Sequence, residues 1–76
     1  MSLKELEVVA LTTDIPSKGL REGDLGTIVD VIKGGEAYFV EFIDSKGYTV
    51  ALEMLLSGQI RALQPGEHLL QRAMAA

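Results

Sequence analysis

One histidine, a set of scattered carboxylates and three serines are the residues of this chain that could do chemistry. Their spacing decides which reactions are open. His68 is the single imidazole, and the chain contains no cysteine. A metal site needs three or four ligands, so His68 without a second His or Cys reads as a solvated residue. Ser17, Ser45 and Ser57 would have to share that one base, and none lies in a Gly-x-Ser-x-Gly elbow. Glu22, Asp24, Asp30, Glu36, Glu41, Asp44 and Glu53 could supply a carboxylate pair for acid–base work. Most fall in turns or on the outward phase of strands, where solubility alone would put them. Asp24 is explained by its turn, and Glu41 by a cross-strand partner such as Lys46 or Arg61. Gly34-Gly35 is followed by no Lys-Ser or Lys-Thr, so it reads as a turn and not a phosphate loop. The expectation is a non-enzyme with no cofactor and no metal.

Composition narrows the partners. The chain has 76 residues, 47% of them hydrophobic, which suits one small domain with a single core. Eleven Asp and Glu stand against seven Lys and Arg, for a net charge of −4. A duplex-binding module carries a basic stripe that displaces phosphate counterions, whereas these cations are scattered. Neither nucleic acid nor a membrane surface is expected as a partner. No apolar run reaches the ~18 residues of a spanning helix. Residues 1–7 alternate in charge and do not read as a signal peptide. The lack of cysteine suits a reducing interior, so a cytoplasmic location is expected.

The elements that must position these residues are short strands. Gly23-Asp24-Leu25-Gly26 is a glycine-punctuated turn that leads into the β-branched run Thr27-Ile28-Val29-Asp30-Val31-Ile32. Residues 7–12 read as a first strand, and Pro16 makes residues 13–22 a long irregular loop with Leu20 as a plug. Lys33-Gly34-Gly35-Glu36 is a hairpin turn. Residues 38–42 alternate, with Tyr38, Val40 and Phe42 on one face and Phe39 and Glu41 on the other. Residues 48–52 make a fourth strand, residues 54–58 a 3₁₀ turn and residues 60–63 a fifth strand. Five short strands at this spacing predict an all-β fold, a small five-stranded barrel over residues 1–63. The expected core is Val8, Ala10, Leu20, Val29, Val31, Tyr38, Val40, Phe42, Val50, Leu52 and Ile60. Residues 64–76 form a second region. There Leu69, Leu70 and Met74 recur at helical spacing and predict a short C-terminal helical tail.

The ordered set Asp14-Ile15-Pro16, Gly19-Leu20, Gly23-Asp24-Leu25-Gly26-Thr27, Tyr38-Phe39-Val40-Glu41-Phe42, Gly47-Tyr48-Thr49-Val50-Ala51-Leu52 and Gln59-Ile60-Arg61 carries a resemblance. Gly23 to Val29 resembles the opening of KOW-type and other SH3-like barrels. The whole set resembles a family of short bacterial single-domain proteins, a domain of unknown function. The resemblance spans about residues 7–63. It implies an SH3-like barrel and no established activity, so no functional residue is carried over from it.

Two regions are left as contact candidates. Phe39 shares its strand face with Glu41 and is the aromatic expected at the surface. Leu69, Leu70 and Met74 would gain nothing from exposure on a short helix, so they are expected to pack on their own barrel or across a homo-oligomer contact. The function expected is a non-catalytic protein-interaction module. It would act as a small regulatory or neutralising partner of another protein, or as an accessory subunit. The alternative is a KOW-like nucleic-acid-binding module.

Overall fold

β1 (Val8–Leu11), β2 (Leu25–Ile32), β3 (Ala37–Ile43), β4 (Thr49–Leu56) and β5 (Ile60–Ala62) are the strands of the computed structural model, which describes residues 3–67. They form one antiparallel sheet in the order β4-β3-β2-β1-β5. Among the described residues the fold is all-β, with two 3₁₀ turns at Pro16–Lys18 and Ser57–Gln59 and no α-helix. None of these elements is a helix long and apolar enough to cross a membrane.

The sheet is open. β4 and β5 are its two edges and do not pair with each other, whereas the turn spacing led to a closed barrel. Closure needs first and last strands long enough to share a ladder. β5 has three residues, and all three are paired with β1. The long loop after β1 reaches β4, where Lys18 Nζ lies 3.7 Å from Glu53 Oε2. The predicted helical tail falls on residues outside the described range, apart from a tight turn over residues 64–67. In that turn the Gln64 N–H donates to Glu67 Oε1 at 2.9 Å.

Two bulges explain where the strand phases depart from simple alternation. β3 is regular, so Tyr38, Val40 and Phe42 are buried as its pattern predicts. On β2 the register jumps between Ile28 and Asp30, leaving Val29 without an opposite residue. A bulge residue shifts every later side chain to the other face. Ile28 therefore points into the core, Val29 is 36% exposed, and Val31 returns to pack on the core. The same irregularity on β4, between Thr49 and Ala51, lets Val50 and Ala51 both touch the core and turns Leu52 outward. On β1 the inward residues are Val9 and Leu11, and Val8 is 41% exposed. Val8, Val29 and Leu52 are thus not core residues. Val9, Leu11, Ile28, Ala37, Ala51 and Leu55 are core instead, beside Ala10, Leu20 and Ile60.

Gly26 has a packing reason. A Cβ built there would lie 2.6 Å from Val40 Cγ1 and 2.8 Å from Phe42 Cε1. Two core side chains of β3 fill the space above its backbone, so the position accepts only hydrogen. The β2–β3 hairpin has a conformational reason: Lys33, Gly34 and Gly35 all have positive φ.

β4 is longer than its sequence suggests. Met54, Leu55 and Leu56 continue the strand, and the 3₁₀ turn begins only at Ser57. Their ladder with Phe39, Tyr38 and Ala37 on β3 overrides the short local pattern.

Candidate interaction surface

Phe39 stands on the outer phase of β3, half-buried, opposite Asp30 of β2 and Met54 of β4. Its neighbours on that face are apolar. Leu52, Met54 and Leu56 project outward from β4 at 55%, 60% and 61% exposure. Leu52 faces Glu41 across the strands, and Glu41 accepts a 2.8 Å hydrogen bond from Thr49 Oγ1. Neither Lys46 nor Arg61 is the partner of Glu41. Arg61 is held by Glu67 instead. The outer face of β3 and β4 therefore carries one row of large apolar side chains with a satisfied carboxylate beside it. Single exposed apolar residues are ordinary, but a contiguous row marks a contact surface.

The row lies on a free strand edge. The Leu56 N–H donates to Gln59 Oε1 at 2.8 Å and not to β3. Successive residues of an antiparallel strand direct their backbone groups to opposite sides. Leu52 and Met54 thus turn their N–H and C=O groups to the open edge, while Ala51, Glu53 and Leu55 bond to β3. The row was missed in the sequence because residues 54–58 read as a turn. Its signal was the alternation Leu52-x-Met54-x-Leu56, which continues the strand pattern. The other contact candidates, Leu69, Leu70 and Met74, lie outside the described residues, as does His68.

The chemistry-bearing residues are dispersed into structural roles. Asp24 is buried, and its Oδ2 accepts the Arg21 N–H at 2.8 Å, as the turn reading predicts. Asp14 Oδ1 accepts the Glu22 N–H at 2.8 Å, and Asp30 Oδ1 the Val31 N–H at 2.9 Å. Asp44 is buried in the β3–β4 turn. Its Oδ1 accepts from Lys46 N at 2.8 Å and Tyr48 N at 3.0 Å, and its Oδ2 has no hydrogen-bond partner among the described residues. Among those residues, no three His, Cys, Asp or Glu side chains converge as metal ligands. An open cleft of about 270 Å³ lies along the β1–β2 loop, between Asp14, Pro16, Gly19, Leu20 and Arg21. It is too shallow to bury a ligand, and its Asp14 carboxylate already serves the loop backbone.

A family model described as a domain of unknown function (DUF4926) matches residues 5–62. The chain belongs to this family. The DUF4926 match ends at the last residue of β5, so it takes in Phe39, the whole β4 row and the β1–β2 loop, and stops before residues 64–76. No curated protein and no solved structure matches the chain.

Proposed function

We propose that this DUF4926 domain is a non-catalytic protein-interaction module, acting as a small regulatory or neutralising partner or an accessory subunit. The observation that carries the reading is the outer row of Leu52, Met54 and Leu56 beside Phe39, on a strand whose backbone edge is open. Strand addition to such an edge draws affinity from main-chain hydrogen bonds and specificity from alternate side chains. Natural edge strands are commonly protected by lysine, proline, brevity, a bulge or an inward-pointing charge. β4 has no lysine or proline over eight residues, and its bulge at Val50 and its inward Glu53 leave the row from Leu52 to Leu56 apolar on the outer face. The acidic balance of the chain favours fast encounter with basic partners.

The same reading takes the domain as an SH3-like arrangement in a bacterial, cytoplasmic protein. The long loop between β1 and β2, the 3₁₀ turn between β4 and β5, and the reach of that loop to β4 through Lys18 and Glu53 support that arrangement. Residues 68–76, with Leu69, Leu70 and Met74, are a second contact segment in this reading.

The test is capture from a native lysate by the full chain, compared with a Leu52→Lys/Met54→Lys double variant, with mass spectrometry as readout. A protein retained by the native chain and lost by the double variant, at unchanged melting temperature, is the expected result. Identical captured sets overturn the reading.

Nucleic-acid binding is the second reading, carried by the KOW part of the resemblance. Net charge −4 and the pairing of Lys18 with Glu53 weigh against it. A salt-dependent mobility shift of DNA or RNA at physiological salt would promote it over the first.

A further inference from the structure

We infer that β4 is a self-pairing edge: a second copy of the chain adds its own β4 antiparallel, with a two-fold axis at Met54. The inference rests on the interaction-surface reading and names the occupant of that surface.

The backbone groups left free fit this register. Leu52 and Met54 present both N–H and C=O to the edge, whereas the Leu56 N–H is already held by Gln59. The Leu56 C=O, the N-cap carbonyl of the Ser57–Gln59 turn, keeps its second lone pair for an edge donor. With Met54 opposite Met54 of the second copy, those two residues exchange a pair of hydrogen bonds. Each Leu52 N–H then meets the Leu56 C=O of the other copy. Four bonds form, and Gln59 keeps its own.

The side chains fit it too. Leu52-x-Met54-x-Leu56 reads the same in both directions about Met54, which an isologous antiparallel contact requires. Leucine meets leucine and methionine meets methionine along one continuous row. Three side chains per copy, each more than half exposed in the single chain, gain a facing neighbour.

Charge selects the same register. Glu53 is the single ionisable residue of β4, and its carboxylate lies toward Lys18. With the axis at Met54, Glu53 faces Leu55 of the second copy. A shift that paired Leu52 with Met54 would set the two Glu53 residues directly opposite, a like-charge pair that opposes pairing. Two copies of net charge −4 repel overall, and this neutral row is where they approach at least electrostatic cost. The other edge does not compete. β5 is three residues long and ends in the turn that Arg61 and Glu67 hold closed.

The experiment measures the solution mass of the full chain across a concentration series, with Met54→Lys and Met54→Cys beside it. The chain has no native cysteine, so Met54→Cys reports without interference. A hydrogen-bonded antiparallel pair brings Cα atoms to about 5.5 Å, inside the range of about 4.4–6.8 Å that a disulfide spans. The expected result is twice the monomer mass for the native chain and the monomer mass for Met54→Lys, which stays folded with a cooperative melt but loses the concentration dependence of the native Tm. Under mild oxidation, Met54→Cys should give an interchain disulfide much faster than the exposed control Ser17→Cys. A native chain that stays monomeric throughout overturns the inference, as does a dimer that survives Met54→Lys. A dimer in which Met54→Cys links no faster than the control overturns the axis at Met54. If the chain is monomeric and the Leu52→Lys/Met54→Lys pair still loses a captured protein, the interaction reading stands with that protein as occupant. If both fail, neither stands.

Discussion

Arg61 Nη1 donates a 2.8 Å hydrogen bond to Glu67 Oε1, and its Nη2 meets Oε2 of the same carboxylate, fork to fork. The Gln64 N–H donates to the same Oε1. This clamp turns the chain just after β5 and holds residues 64–67 against the strand. It ties a glutamate beyond residue 63 to a residue of β5.

The first prediction concerns acid. The Arg61 hydrogen bonds, and then the Gln64 N–H, lower the Glu67 carboxyl from its ordinary 4.5 to about 2. A depressed carboxyl adds stability that is fully present above the unfolded value and lost as pH falls through the folded one. The melting difference between native protein and Glu67→Gln should therefore be constant above about pH 4.5 and vanish near pH 2. Chemical-shift titration of Glu67, with and without Arg61→Ala, checks the cause: the variant should move the carboxyl most of the way back toward its ordinary value, with the Gln64 N–H still holding it somewhat low.

The bulge on β2 predicts opposite outcomes at adjacent residues. Ile28 is fully buried, and Ile28→Ala should cost about 2–5 kcal/mol. Val29 is the extra, partly exposed residue, and Val29→Ala should stay within about 0.5 kcal/mol. Denaturant melts of the two variants decide it. Equal losses would contradict a bulge at Val29.

Gly26→Ala inserts one methyl against Val40 and Phe42, both core residues without room to retreat. Overpacking of this kind costs about 1–3 kcal/mol. A thermal melt at or above the native temperature would contradict the contact.

Asp44 separates two kinds of loss. Asp44→Ala removes the acceptor of the Lys46 and Tyr48 N–H groups and should cost about 1–3 kcal/mol. Asp44→Asn keeps one oxygen for both donors and replaces only the oxygen that has no partner. Asn should therefore fall much nearer the native melting temperature than Ala. Equal losses in both variants would contradict a role for Oδ1 alone.

The chain's own residue order determined the element list, because local chemistry is enough for it. Pro16, Gly23-Asp24, Lys33-Gly34-Gly35 and Gly47 force turns by φ alone, and the β-branched and aromatic runs between them have few alternatives to extended chain. The inward phase of β3 was legible for the same reason: Tyr38, Val40 and Phe42 alternate without interruption. The Phe39 face was legible with it. What only the tertiary structure decided were features set by neighbouring strands. The bulges at Val29 and Val50 depend on how β3 meets β2 and β4, so Val29 and Leu52 looked like core residues by local alternation. The extension of β4 to Leu56 depends on Ala37, Tyr38 and Phe39 lying opposite, since its own residues suit a turn as well as a strand. Whether the sheet closed depended on β5 having three residues and one partner. The candidate surface is the product of these non-local effects: a bulge turned Leu52 outward, a longer ladder added Met54 and Leu56, and an open sheet left their edge free.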